Sequence, residues 1–150
     1  MSKSAEISFA TTLHIRDHCL CLHVQRAARM VARRFDEALR PLRLTNGQFS
    51  LLTSLNREEL TTMGAVAAVL AIDRTTLTAA LKPLQRAGFV EVRIDLEDRR
   101  GRLLTLTPAG RALLASAVPI WKRTHAQVEG LLDGADPDGL RRDLRALSQR

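Results

Sequence analysis

The 150-residue sequence contains no tyrosine, one tryptophan and four phenylalanines, which argues against a base-stacking platform for single strands or RNA. Two cysteines are too few for a disulfide framework, so a reducing cytoplasm is the expected compartment. Long apolar runs are missing: the stretch from Gly64 to Ile72 falls far short of the roughly 20 residues that a membrane-spanning helix needs. Residues 1–6 are polar with no apolar stretch behind them, which predicts no signal peptide. Lysine is scarce as well, with three residues among the 23 cations, and the remainder are arginine, the side chain suited to forked contacts with phosphate and guanine.

What is present is ordinary for a folded domain: 45% apolar and 26% charged residues exclude wholesale disorder, and 150 residues suffice for a buried core. The formal charge of +7 favours a polyanionic partner, and the poverty in aromatics makes duplex DNA the better candidate. A solvated arginine-rich surface would give the same balance.

Apolar residues at Leu20, Val24, Ala27, Val31, Phe35, Ala38 and Leu42 step by four and three, which predicts a long amphipathic helix stopped by Pro41, preceded by a loose lead-in over residues 1–12. Thr45-Asn-Gly-Gln48 reads as a capping box for a second helix carrying Phe49, Leu52 and Leu55. Thr61 or Thr62 caps a third, and Asp73 caps a fourth with Leu77, Leu81 and Leu84 inward, Pro83 as a predicted kink and Gly88 at its exit. Alternation over Val90–Ile94 and at Leu104 and Leu106 predicts a β-hairpin whose tip, Asp95–Arg102, is charged. Thr107-Pro108 and Asp136-Pro137 open two further helices, the first bent at Pro119. The expected class is mainly α with a small β-hairpin wing, in the order α-α-α-α-β-β-α-α.

Three short helices followed by a charged hairpin is the winged helix-turn-helix plan, in which one helix enters the major groove and the wing meets the backbone or minor groove. The helix from Asp73 to Ala87 turns Arg74, Thr75, Thr78, Lys82 and, nearer the edge, Arg86 away from its buried stripe. Hydroxyls near a helix N-terminus suit phosphate and base-edge contacts. A solvated polar face would look the same on any amphipathic helix.

From Leu44-Thr45 through Thr107-Pro108-Ala109-Gly110 the sequence resembles the MarR (multiple antibiotic resistance regulator) family of bacterial transcription factors. Asp98-Arg-Arg100 followed by Leu106-Thr107 fits the family's wing signature, Asp73-Arg-Thr-Thr-Leu-Thr78 its recognition-helix opening, and Gly88-Phe-Val90 its exit into the wing. The resemblance implies one MarR-type domain over 1–150, with a dimerisation helix at 13–40, a winged core at 45–107 and dimerisation helices at 108–150. It implies an obligate homodimer, probing a pseudo-palindromic operator in double-stranded DNA and acting as a repressor. Arg74, Thr75, Thr76 and Thr78 would face the major groove. Arg99, Arg100 and Arg102 would belong to the cationic wing, with Arg100 in the minor groove and Asp98 holding the wing arginine through an ion pair. Many relatives are released from DNA by small aromatic or phenolic acids, for which Arg26 or Arg29 would meet a carboxylate, although a solvent or interface role fits either arginine equally well. Two departures stand out. Ala71 replaces the glycine usual at the helix-turn-helix turn, where a left-handed alanine costs about 1 kcal/mol unless the turn differs. Ala79 and Ala80 stand where basic or polar residues are common, which trims the base-reading face.

His14, His18, Cys19, Cys21 and His23 crowd the start of the first helix. At about 100° per residue, Cys19 and Cys21 point to nearly opposite sides of a continuous helix, which excludes an intrahelical disulfide. Three readings stay open: small buried thiols at a dimer seam, a peroxide switch at Cys21, and a transition-metal site. Some MarR relatives sense peroxide through a cysteine here, and Cys21 and Arg29 keep that spacing without the tyrosines that accompany it. No Gly-rich phosphate loop, zinc-protease helix or nucleophile elbow occurs, so neither an enzyme nor a cofactor is expected. The rival functions are an architectural protein that coats duplexes without regard to sequence and, more remotely, a metal-dependent enzyme using the His/Cys cluster.

Overall fold

The computed structural model describes residues 6–149, and its contacts form two compact units divided between Arg34 and Phe35. In the first unit Ser8 caps α1 (Phe9–His18), its hydroxyl accepting the Thr11 N–H at 3.2 Å. The helix stops at Cys19, whose ψ of 107° is extended, and α2 (Leu20–Leu39) starts at once. Two sequence expectations need correction. The lead-in is helical from Phe9 on, because Ser8 supplies a cap, while residues 1–5 lie outside the described chain. The helix expected over 13–40 is two helices, and the premise that Cys19 and Cys21 share one helix fails. At the break, His18 Nδ1 lies 2.9 Å from the His14 carbonyl, and the Cys19 N–H still bonds the Ile15 carbonyl at 2.9 Å.

In the second unit α2 ends before Pro41, and a 3-10 turn (Arg40–Leu42) leads to α3 (Asn46–Ser54). The expected capping box is formed: Thr45 Oγ1 accepts the Gln48 N–H at 3.2 Å and Gln48 Oε1 accepts the Thr45 N–H at 3.0 Å. Strand β1 (Thr61–Thr62) precedes α4 (Met63–Leu70), which Thr62 caps. Helix α5 (Arg74–Arg86) follows, its axis turned by 103° from that of α4, the angle of a helix-turn-helix. Ala71 makes the turn in the left-handed region, with φ 53° and ψ 41°, so an alanine adopts the conformation that glycine takes without steric cost. Helix α5 runs continuously through Pro83.

Strands β2 (Val90–Ile94) and β3 (Arg102–Leu106) pair antiparallel, Val90 opposite Leu106 and Ile94 opposite Arg102. The hairpin gains a third strand that the sequence reading lacks, since Thr61 and Thr62 pair with Leu104 and Leu103 in the order β1-β3-β2. Two residues are too short to show alternation. Helices α6 (Pro108–Gly130) and α7 (Pro137–Leu147) complete the chain, α6 running through Pro119.

The core sits where α3, α4, α5, α6 and the sheet meet: Leu39, Leu52, Leu77 and Leu104 are completely enclosed, with Leu51, Val66, Leu84 and Ala117 around them. The predicted stripe of α5 is buried in full. Gly110 ties α6 to the wing. A side chain there would place its Cβ 2.1 Å from the Phe89 carbonyl oxygen, which itself accepts the Thr107 N–H at 3.1 Å. Thr107 also donates its hydroxyl to the Gly88 carbonyl at 2.6 Å, so the start of α6 is fastened to the exit of α5.

Candidate nucleic-acid interface

Burial of Leu77, Leu81 and Leu84 fixes how α5 is rotated, and this rotation leaves Arg74, Thr75, Thr76, Thr78, Lys82 and Arg86 exposed. The threonines are not equivalent. Asp73 accepts both the N–H of Thr76 at 2.7 Å and its hydroxyl at 3.0 Å, so Thr76 completes the N-cap. These two bonds hold the Asp73 carboxyl below the usual carboxylate range. Thr78 donates its hydroxyl to the Arg74 carbonyl at 2.8 Å. Among the described residues the Thr75 hydroxyl has no such bond, and it stands in the first turn beside Arg74, where helix N–H groups and dipole favour an anion. Ala79 is exposed on the same helix and offers no polar group.

The wing tip is built from its own carboxylates. Asp95 Oδ1 accepts the Glu97 N–H at 3.0 Å, and Asp98 Oδ1 accepts the Arg100 N–H at 3.1 Å. Gly101 donates to the Asp98 carbonyl at 2.8 Å, and a Cβ on Gly101 would lie 3.2 Å from that same oxygen. The expected Asp98 ion pair is therefore corrected: Asp98 holds Arg100 by its backbone, because a short carboxylate two residues away reaches the N–H of an Asx turn. Arg102 turns its guanidinium back onto the Arg99 and Gly101 carbonyls at 3.3 and 3.0 Å, bracing the tip. Arg99 and Arg100 are exposed, and among the described residues their guanidinium groups have no ion-pair partner. The tip, held by these bonds, carries two arginines without ion-pair partners among the described residues. Farther down the wing, Arg93 is neutralised by Glu91 at 3.0 Å.

An apolar groove of about 450 Å³ lies between α3, α4 and α6, walled by Phe49, Val69, Leu114, Val118 and Trp121, with Ser50, Thr53 and Asn56 at hand. Trp121 stacks against Phe49 with ring centroids 6.4 Å apart and against His125 at 4.7 Å. Among the described residues no guanidinium or ammonium lines this groove, although Arg111 bonds the Asn56 amide oxygen at its edge at 3.2 Å. The sequence reading placed effector recognition at Arg26 and Arg29, which are exposed on α2. Its aromatic walls escaped that reading because Phe49 and Trp121 are remote in sequence and sit at core-like positions.

In the first unit His14 and His18 stack at 4.2 Å, His23 Nδ1 lies 2.8 Å from the Cys19 carbonyl, and no three His, Cys, Asp or Glu side chains converge on a common metal position among the described residues. Gln25 joins the two residues that sequence spacing related: its Nε2 donates to Cys21 Sγ at 3.1 Å and its Oε1 accepts from Arg29 at 3.1 Å. Among the described residues no single helix is long and apolar enough to cross a membrane.

Comparison with known proteins agrees with this geometry. The MarR family model matches residues 44–101. The organic hydroperoxide resistance transcriptional regulator of Bacillus subtilis is 30% identical over 67% of this chain and 69% of its own length. Another curated relative is spanned over 54% of its length. Among solved structures, the M. tuberculosis transcriptional regulator MosR in complex with DNA superposes with a TM-score of 0.78 at 39% identity, covering 88% of this chain and 95% of that one. The transcriptional repressor CouR bound to a DNA duplex superposes at 0.79 with 28% identity, over 97% and 100% of the two chains. With its 103° helix-turn-helix, carboxylate-built wing and these relatives, the chain belongs to the MarR family.

Proposed function

We propose that the protein is a sequence-specific, homodimeric repressor of transcription acting on duplex DNA in the cytoplasm, and that it is not an enzyme. The observation that carries this reading is the pairing, within one compact unit, of an α5 face bearing Arg74, Thr75, Lys82 and Arg86 with a braced wing tip bearing Arg99 and Arg100. In this reading α5 reads base edges in the major groove and the tip arginines enter the minor groove, where narrow A·T tracts concentrate negative potential. The DNA-bound neighbours and the repressor CouR support the same assignment.

The dimer rests on apolar side chains that the protomer leaves uncovered. On α7, Leu140, Leu144 and Leu147 are exposed along one stripe, and α1 buries no residue at all. Such faces mark association surfaces. A two-fold dimer then sets operator half-sites about one helical turn apart.

The test is binding to the DNA upstream of the protein's own gene and to other intergenic fragments, against scrambled duplexes, at ~150 mM salt, where a specific regulator shows a preference of roughly a thousandfold or more. Equal affinity for all duplexes, falling steeply with salt, would establish the architectural rival. Arg100→Ala should weaken operator binding by about 1–3 kcal/mol with the fold intact, and an unchanged affinity would remove the wing tip from the interface.

The groove beside Trp121 is the effector site in this reading, with a small aromatic or phenolic molecule against the walls formed by Phe49, Val69, Val118 and Trp121. Such a ligand should quench the fluorescence of Trp121, the sole tryptophan, and release the operator over the same concentration range.

A further inference from the structure

We propose that Ala79 recognises the C5-methyl group of a pyrimidine in the major groove, so that the middle of the α5 face selects a methyl rather than a hydrogen-bonding base edge. At about 100° per residue, Thr75, Ala79, Lys82 and Arg86 fall within a strip about 60° wide that lies opposite the buried Leu77, Leu81 and Leu84. Ala79 is exposed inside that strip, one turn from Thr75 on one side and from Lys82 on the other. Pro83, beside it and also exposed, adds ring carbons and no N–H.

The hydrogen-bond donors nearest Ala79 are already committed. Thr76 gives its hydroxyl to Asp73 at 3.0 Å, and Thr78 gives its hydroxyl to the Arg74 carbonyl at 2.8 Å. The polar groups of the strip are Thr75 at its N-terminal end and Lys82 and Arg86 farther along, so a base that meets its middle finds carbon only. A polar base edge pressed there would lose its water and gain no partner, which is unfavourable. A methyl loses no hydrogen bond and gains apolar contact. In the major groove that methyl is carried by C5 of thymine. 5-Methylcytosine presents the same group, beside an amino donor in place of the thymine carbonyl acceptor. Ala79 can bond neither of those polar groups, so its preference is for the methyl itself. Its one-carbon side chain also lets the helix backbone approach the base, which a longer residue would prevent.

The inference rests on the reading of α5 as the major-groove helix and adds what the helix selects there. Arg74, Lys82 and Arg86 supply attraction to phosphate and guanine around a centre that discriminates by shape and hydration. In a two-fold dimer each half-site presents one such pyrimidine, so the preference is counted twice.

The full-length protein first selects duplexes from a random library at ~150 mM salt. The preferred duplex is then remade with T·A, U·A, C·G or 5-methylcytosine·G at each pyrimidine position, changed together in both half-sites, and affinity is read by fluorescence anisotropy. At one position per half-site the methyl should tighten binding about threefold to fivefold per copy, hence roughly tenfold or more for the dimer. The same gain is expected for thymine over uracil and for 5-methylcytosine over cytosine; a gain in one pair alone assigns the contact to that base. Ala79→Gly removes the contact and Ala79→Asn puts an amide in its place, and both should bring the ratio at that position close to one with helical content unchanged. Arg100→Ala should lower affinity and leave the ratio as it is. Equal affinities within both pairs at every position, or a methyl preference that survives both Ala79 variants, would overturn the proposal. If selection enriches no duplex, the sequence-specific reading fails and the proposal with it, whereas a selected operator indifferent to the methyl at every position removes the Ala79 contact alone.

Discussion

In the winged unit Leu39, Leu52, Leu77, Leu104 and Ala117 are fully enclosed, whereas α1 buries nothing and α2 leaves Leu20 68% and Met30 52% exposed. The contrast concerns what supplies stability. The winged unit closes around its own leucines, each worth about 1.5–3 kcal/mol when buried. A ten-residue helix such as α1 is marginal in water without tertiary contacts, so the N-terminal segment depends on whatever covers it. DNA contact, by contrast, needs side chains held in place, and α5 is set by its buried Leu77, Leu81 and Leu84 while Arg102 braces the wing tip on its own carbonyls.

Several substitutions would break or sharpen this contrast. The largest effect is expected on association. Leu144→Lys places a charge in the uncovered stripe of α7, and a two-fold interface counts the change twice, so the dimer dissociation constant should rise roughly a hundredfold or more. Sedimentation would show a monomer with unchanged helical content. Next, Gly110→Ala forces a Cβ onto the Phe89 carbonyl and should cost the winged unit about 2–3 kcal/mol, read as a lower denaturation midpoint. A neutral result would mean that α6 is not clamped to the wing. Ala71→Gly relieves a left-handed alanine and should stabilise the same unit by about 1 kcal/mol, raising its thermal midpoint by a few degrees.

The smallest effect is pH-dependent. Because hydrogen bonds from Thr76 lower the Asp73 carboxyl in the folded state, its stabilisation is complete above the unfolded carboxylate pKa and is lost as pH falls through the lowered folded one. Wild type should therefore exceed Asp73→Ala in stability at neutral pH. The difference should close in acid, below the usual carboxylate range. A difference independent of pH would mean that the cap works without its charge.

The elements of the winged unit were legible because each announces itself locally. Thr45/Gln48, Asp73, Thr107-Pro108 and Asp136-Pro137 mark helix starts through side-chain chemistry a few residues long, and Leu77, Leu81 and Leu84 mark a buried face by period. Candidate contacts followed, since fixing the buried face fixes the exposed one. What stayed illegible was non-local or shared. Strand β1 exists only because β3 offers it an edge, and the groove joins Phe49 to Trp121 across 72 positions of sequence. Asp98 and Arg102 lie within the signature, but whether each spends its charge on backbone or on a partner depends on the conformation of the tip. The break at Cys19 carries no proline or glycine to announce it.

By itself, then, the sequence determined the helices of the winged unit, which faces they bury and that the surface favours a polyanion, because caps, periodicity and charge act over one or two turns. Only the tertiary structure decided that Ala71 bends into the left-handed region, that the wing arginines Arg99 and Arg100 are free while Arg102 is not, and that Cys19 stands outside the helix holding Cys21. Those outcomes depend on competition among backbone and side-chain acceptors that distant packing brings within reach, and no local pattern encodes the winner.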